Sequence, residues 1–253
     1  MSVAARRLGL GLAAAGLALA GLLAGSLLAP DGGGATRGAV GAARRPALAA
    51  DRVLPPGTSL AANVRGGAAL AVYRRPGEAR PARRLAIGPG SRVLLVRARR
   101  GAWLRVLLPV RPNGASGWIR TRRVELRTNP YRVGVALHAH RLVVWRAGRV
   151  VLRTPIGVGR AVTPTPRGLA FVTVLLRQPD PHGLYGPWAF GLSLYSPVLS
   201  SFGGGPGQVG IHGTNDPAGI GRDVSHGCIR LPNAAIERLA RTLPLGTPVR
   251  IAS

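Results

Sequence analysis

Tyr131–Pro155 reads YRVGVALHAHRLVVWRAGRVVLRTP. Val133, Val135 and Leu137 alternate with Gly134, Ala136 and His138, the two-residue period of a strand with one buried face. Two more apolar runs, Leu142–Trp145 and Val150–Arg153, flank Arg146-Ala147-Gly148-Arg149, which reads as a hairpin. Strand patterns recur at Leu169–Leu176, Ala189–Ser196 and Gln208–His212, and Val249–Ala252 is a closing strand. Pro155–Gly159 and Thr163–Gly168 are turn-rich, and residues 177–188, heavy in Pro and Gly, form a loop placed to cover a site. One helix is expected. Asn233 caps it, Ile236, Leu239, Ala240 and Leu243 fall at i, i+3, i+4 and i+7, and Leu245-Gly246 ends it.

Upstream, residues 55–128 carry apolar runs at Ala69–Tyr73, Arg92–Val96, Trp103–Leu108 and Trp118–Ile119. Pro76-Gly77, Gly88-Pro89-Gly90 and Asn113-Gly114 punctuate them, the pattern of a small all-β barrel. Residues 30–54, rich in Gly, Ala, Arg and Pro without periodicity, read as a flexible linker. Leu8–Ala29 is an uncharged run of 22 residues after Arg6 and Arg7. As a helix it would be about 33 Å long, enough to span a bilayer. Residues 1–29 are therefore expected to be a signal peptide or a signal anchor, with the rest of the chain outside the cytoplasmic membrane.

The chain has 253 residues, 46% of them hydrophobic, so a packed core is expected and wholesale disorder is not. Aromatic residues are only 4%, against a stacking-type single-strand nucleic-acid binder. All 35 basic residues are Arg and the acids number 8, a net charge of +27. Residues 30–129 hold 20 Arg against 4 acids, and residues 130–253 hold 13 against 4. A general preference for Arg over Lys accounts for part of this, and a polyanionic neighbour suits the rest. Charge by itself does not select nucleic acid. A single Cys excludes an intramolecular disulfide and multi-thiolate zinc sites.

That Cys lies in the chemically informative segment Ile211–Leu231, IHGTNDPAGIGRDVSHGCIRL. Cys228 is a nucleophile if a His takes its proton. His226 is two residues before it. His212 ends another strand and reaches it only if the two strands pair. Gly227 lets the backbone turn so that successive N–H groups face one spot, the requirement of an oxyanion hole.

Ser225-His226-Gly227-Cys228-Ile229-Arg230, together with His212-Gly213-Thr214-Asn215, resembles the signature of YkuD-type L,D-transpeptidases. Val158-Gly159 and Thr163-Pro164-Thr165-Pro166-Arg167-Gly168 resemble the strand and turn that precede it in that family. The resemblance covers residues 130–252 and implies a catalytic domain there with a β-sandwich fold. It implies cleavage after the third residue of a peptidoglycan tetrapeptide stem, release of terminal D-Ala, a thioester on Cys228 and a 3→3 cross-link to a neighbouring stem. It further implies that His212 is the general base, that the Gly213 carbonyl orients its ring, and that the Gly227 and Cys228 N–H groups hold the oxyanion. His226 would take a structural or oxyanion-side part. Arg230, Ser225, Thr214 and Asn215 are expected to bind substrate, Arg230 through a stem carboxylate. No cofactor or metal is expected.

Residues 55–128 resemble bacterial SH3-like modules through Tyr73, Pro76-Gly77, Gly101, Trp103, Val106 and Gly117-Trp118-Ile119. Such modules bind wall polymers, and the basic charge of this half suits an anionic one. The fold expected is thus mainly β: a small SH3-like barrel, then a YkuD-type β-sandwich with one short helix near the C-terminus. The location expected is the cell envelope, with a membrane contact through the N-terminal segment if it is not cleaved.

Other readings remain beside this one. They are an L,D-carboxypeptidase that uses water as acceptor, a non-catalytic wall-binding protein, a sortase-like enzyme and a zinc hydrolase. Asp216 and Asp223 read as loop formers more than as acid/base groups. His138 and His140 are expected on one face of a strand, and His182 near the groove or simply on the surface. Trp188 and Tyr195 either line the groove or pack the core.

Overall fold

In the computed structural model, which describes residues 57–253, short strands are the main regular structure. The expected leader and linker lie outside the described residues. The first strands are β1 (Ser59–Val64), β2 (Ala69–Val72), β3 (Arg83–Ala86), β4 (Val93–Arg100), β5 (Trp103–Leu107), β6 (Ser116–Arg120) and β7 (Val124–Asn129). Five of them form an antiparallel sheet in the order β6-β5-β4-β1-β7, and β2 and β3 form a hairpin beside it. Leu70, Val72, Leu94, Leu104, Val106 and Ile119 fill the core between them. β1, β3 and β7 escape sequence reading because each carries few bulky apolar residues. β3 buries Leu85 alone.

The second half holds β8 (Tyr131–Ala136), β9 (Arg141–Arg146), β10 (Arg149–Pro155), β11 (Val158–Gly159), β12 (Gly168–Arg177), β13 (Trp188–Tyr195) and β14 (Gln208–His212). β15 (Asp223–Ser225), β16 (Ile229–Arg230), α1 (Asn233–Thr242) and β17 (Pro248–Ala252) complete it. The β9–β10 hairpin turns on Ala147 and Gly148, with φ of 47° and 84°. Two successive left-handed residues are what a tight hairpin turn needs. The expected sandwich is one curled sheet, in the order β10-β9-β8-β17-β12-β13-β14-β16. β12 belongs to both halves of this sheet: Gly168–Phe171 pairs with β17, and Val172–Arg177 pairs with β13 with a register shift between Val172 and Val174. A shift of this kind bends and twists a strand. The curl encloses Val133, Val144, Phe190, Leu192, Ile211 and Ile229, and α1 closes the core with Ile236 and Leu239.

The two sheets share an interior. Phe171 of β12 is fully buried in the core of the first sheet, with Leu169 packed against the same cluster. Asn129 Nδ2 donates to Thr247 Oγ1 at 3.0 Å in a buried bond between the two halves. Gly246 has φ +80°, and a Cβ there would come within 2.8 Å of the Ala61 Cβ, so only glycine fits this approach.

Loss of the Phe171 ring should therefore destabilise both sheets together. Phe171→Ala is expected to cost about 3–5 kcal/mol. Urea unfolding followed by hydrogen exchange in both sheets should show one transition moving as a unit. A loss confined to residues 57–129 would show that the shared core does not couple them.

Candidate active site

β14 and β16 bring the two ends of Ile211–Leu231 side by side. They pair in parallel, with Ile211 opposite Ile229 and His212 opposite Arg230. Cys228 then sits beside Gly210, whose N–H donates to its Sγ at 3.4 Å. His212 follows Gly210 by two positions, so its ring projects from the same face of β14. Imidazole and thiol line one cleft of about 110 Å³. Its cover comes from two loops: Leu184 and Tyr185 follow β12, and Leu199 and Phe202 follow β13.

The turn that presents Cys228 is held by Ser225. Its Oγ donates to Cys228 O at 2.6 Å and accepts the Gly227 N–H at 3.0 Å. Gly227 has φ +117°, a conformation open to glycine and strained for other residues. The 163–168 turn packs against this loop, and Thr163 Oγ1 donates to Ser225 O at 3.2 Å.

His212 is 3% exposed, with Nδ1 2.6 Å from Gly213 O. A carbonyl only accepts, so Nδ1 carries the proton and Nε2 keeps its lone pair. The Tyr185 ring meets the imidazole edge-on, centroids 4.8 Å apart. Behind them Asn233 Oδ1 accepts the Thr214 N–H at 2.8 Å. A Cβ on Gly186 or Gly213 would collide with that same oxygen, so three segments converge on one amide.

Burial dominates the electrostatics. It lowers the His212 pKa to about 4, opposed by the bond to Gly213 and reinforced by the Arg230 charge. It raises the Cys228 pKa, opposed by the Gly210 N–H and by Arg230. The resting pair is therefore a neutral thiol and a neutral imidazole at pH 7.

Several expected residues sit elsewhere in the scheme. The Gly227 N–H is taken by Ser225 Oγ, and the main-chain donor that meets the sulfur is the Gly210 N–H. Ser225 and Thr214 are buried, and their hydroxyls serve the loop: Thr214 Oγ1 accepts the Asp216 N–H at 3.0 Å. Asn215 is exposed and does not line the cleft. His226 lies at the cleft rim with its ring 5.3 Å from that of Phe202. Arg230 lines the cleft. Its Nη1 is 3.3 Å from Asp216 Oδ2, and its buried Nε has no partner.

Asn233 is the first residue of α1 and not its cap, which is Pro232, because its side chain is committed to Thr214. His138 and His140 lie in the β8–β9 turn and not on a strand, and His140 Nε2 meets Asp223 Oδ1 at 2.8 Å. His182 is exposed, while its neighbours Leu184 and Tyr185 reach the cleft. Trp188 packs against the core and Tyr195 faces the first sheet. Sequence reasoning passed over Tyr185, Phe202 and Gly210. Tyr185 had one signal, an aromatic inside the Pro- and Gly-rich loop.

The sign of the His212 shift sets a test. Keeping the ring neutral contributes full stability above the unfolded value of 6.5, and this is lost as pH falls towards about 4. The loss attributable to this ring is about 3 kcal/mol. Urea unfolding at pH 7 and pH 4.5 should show a smaller decline for His212→Gln than for the unaltered protein. Equal declines would rule out a buried neutral imidazole.

Residues 130–251 match the YkuD family, the L,D-transpeptidase catalytic domain. Over 124 residues the chain is 43% identical to a putative L,D-transpeptidase YkuD of Bacillus licheniformis, and 40% identical to its counterpart in Bacillus subtilis. Each match spans 49% of this chain and 67% of the relative. Among solved structures, an Enterococcus faecium L,D-transpeptidase is similar at 24% identity, over 49% of this chain and 50% of that one, with a TM-score of 0.39. One from Mycobacterium smegmatis is similar at 16% identity, over 64% and 90%, with a TM-score of 0.41. With two relatives at 40% identity or more aligned across two thirds of their length, the chain belongs to the YkuD family of L,D-transpeptidases.

Proposed function

We propose that this protein is a peptidoglycan L,D-transpeptidase that works through a thioester on Cys228. The observation that carries the reading is the shared cleft of Cys228 and His212, with His212 Nδ1 bonded to Gly213 O so that Nε2 is the free base. Cys228 Sγ attacks the carbonyl of the third stem residue, and its proton passes to His212 Nε2. The new C–S bond forms as the C–N bond to D-Ala breaks, and the same proton leaves with the D-Ala amine. The Cys228 N–H faces the oxyanion, and such a donor is worth about 2.7–4 kcal/mol in the transition state. A side-chain amine of a second stem then attacks the thioester. It gives its proton through Nε2 to the departing sulfur and leaves a 3→3 cross-link. Because burial keeps both partners neutral, proton transfer accompanies attack and does not precede it.

Arg230 supplies the charge for a stem carboxylate. Its guanidinium lines the cleft, shares one nitrogen with Asp216 and has an unpartnered buried Nε. The guanidinium donors that Asp216 does not use suit a carboxylate guest. Residues 55–128 serve as an SH3-like module. The Tyr73–Trp118 bridge and the edge-on packing of Tyr73 on Trp103 support that reading. A substrate in the wall places the catalytic domain in the cell envelope, with residues 1–29 as signal peptide or anchor and 30–54 as linker.

Incubation with a disaccharide-tetrapeptide should give an intact-mass adduct equal to the donor less D-Ala, absent in Cys228→Ala, followed by a cross-linked dimer. Loss of D-Ala without dimer would instead identify an L,D-carboxypeptidase. No adduct and no D-Ala release would reject the enzyme. Arg230→Gln should raise donor KM about tenfold or more, the size of one lost charge-assisted hydrogen bond. An unchanged KM would remove the carboxylate assignment.

A further inference from the structure

Tyr195 ends β13 and Gln208 begins β14, and the twelve residues between them form a loop that folds back on itself. Its mouth is closed by the Ser196 N–H donating to Gly207 O at 2.8 Å. The loop carries Leu199 and Phe202 to the cleft over Cys228. Within the loop, a Phe202–Gly205 bridge shapes the tip and Ser196 Oγ accepts the Val198 and Leu199 N–H groups, so how the loop as a whole sits depends on what holds its other carbonyls.

The holder comes from the other sheet. Arg111, between β5 and β6, reaches into the mouth of the loop. Its Nη1 donates to Ser196 O at 2.8 Å, and its Nη2 donates to Leu199 O at 2.9 Å and to Pro206 O at 3.2 Å. One planar cation thus binds a carbonyl at the start, the middle and the end of the loop. The neighbouring residues fix the point from which it reaches. Asn113 makes reciprocal bonds with the Tyr195 main chain, donating to its oxygen at 2.8 Å and accepting its N–H at 2.9 Å. Tyr195 OH donates to Pro109 O at 2.7 Å, and the Arg111 guanidinium lies 5.1 Å from the centre of the Tyr195 ring. Gly207 leaves room for this grip, because a Cβ there would collide with Leu199 O and approach Arg111 Nη2 to 3.3 Å.

We infer that Arg111 is a positioning residue for the transpeptidase site: it holds the 196–207 loop over the Cys228 cleft, and thereby sets donor affinity from a sheet that contributes no residue to the cleft. The inference rests on the function proposed above for the same cleft. Three carbonyls at separate points of a loop match the fan of donors on a guanidinium, and a lysine ammonium at that position would satisfy fewer of them. Once these bonds are lost, the loop keeps the Ser196–Gly207 closure and the Phe202–His226 ring contact but loses the hydrogen bonds that tie its carbonyls to the first sheet.

Arg111 is exposed, so its replacement leaves the core intact. The test uses the full chain with Arg111→Ala, Arg111→Lys and, as a control for general loss of stability, Phe171→Ala. Amide hydrogen exchange in residues 197–206 should be at least about tenfold faster in Arg111→Ala, since one charge-assisted bond exceeds that factor in a local opening equilibrium. With the tetrapeptide donor, its KM should rise at least fivefold while kcat stays within about twofold, the signature of lost binding common to ground and transition states. Arg111→Lys should recover part of both effects. Phe171→Ala, which lowers stability without touching the loop, should leave donor KM unchanged. Unchanged exchange in Arg111→Ala overturns the inference. So does faster exchange with an unchanged KM, or a KM that rises equally in Phe171→Ala. A failure of the unaltered protein to form any acyl adduct would tell against the proposed function, and hydrogen exchange would still decide whether Arg111 holds the loop.

Discussion

Parallel pairing of two short strands, Gln208–His212 with Ile229–Arg230, is the constraint from which the site follows. Parallel neighbours cannot be joined by a tight turn, so the chain must leave the sheet after His212 and return to it before Ile229. The crossover supplies most of the local machinery. At its start the Gly213 carbonyl takes the imidazole proton, and the Thr214 N–H is tied to α1 through Asn233. At its end Ser225 closes the turn that carries Cys228. Residues sixteen positions apart in the chain therefore face one cleft because two ladder positions were paired.

Enclosure decides the chemistry of that pair. A Cys and a His in water would exchange a proton at modest cost, but the curled sheet buries His212 and half-buries Cys228. Desolvation penalises thiolate and imidazolium alike, and the Arg230 charge acts on the two in opposite senses, favouring the one and disfavouring the other. The resting site stores its proton on sulfur. The hydrogen bond from Nδ1 to Gly213 then has a directional role: it leaves Nε2 as the acceptor before any substrate arrives.

The first sheet belongs to the same physical object in two ways. Phe171 and Gly246 join it to the catalytic half through close packing, which carries stability. Pro109, Arg111 and Asn113 join it through polar contacts to Tyr195 and the loop beyond, which carries shape. Packing of the first kind is insensitive to direction. Hydrogen bonds of the second kind fix carbonyl orientation, and so bear on the form of the cleft.

Local chemistry was legible in the sequence. Alternation marked β8, two apolar runs around Arg146–Arg149 marked the β9–β10 hairpin, and a 3.6-residue period marked α1, because each signal arises between residues a few positions apart. Cys228 and His212 stood out as a lone thiol and a histidine within one glycine-rich segment. Tertiary structure alone decided that β12 serves both halves of the sheet and that Asn233 holds Thr214 instead of capping its helix. It also decided that Ser225 occupies the Gly227 N–H and that Arg111 grips a loop more than eighty residues away. These are matters of which groups meet across long stretches of chain and of how much water remains around them. No local pattern encodes either, because partnership and burial exist only once the chain has closed on itself.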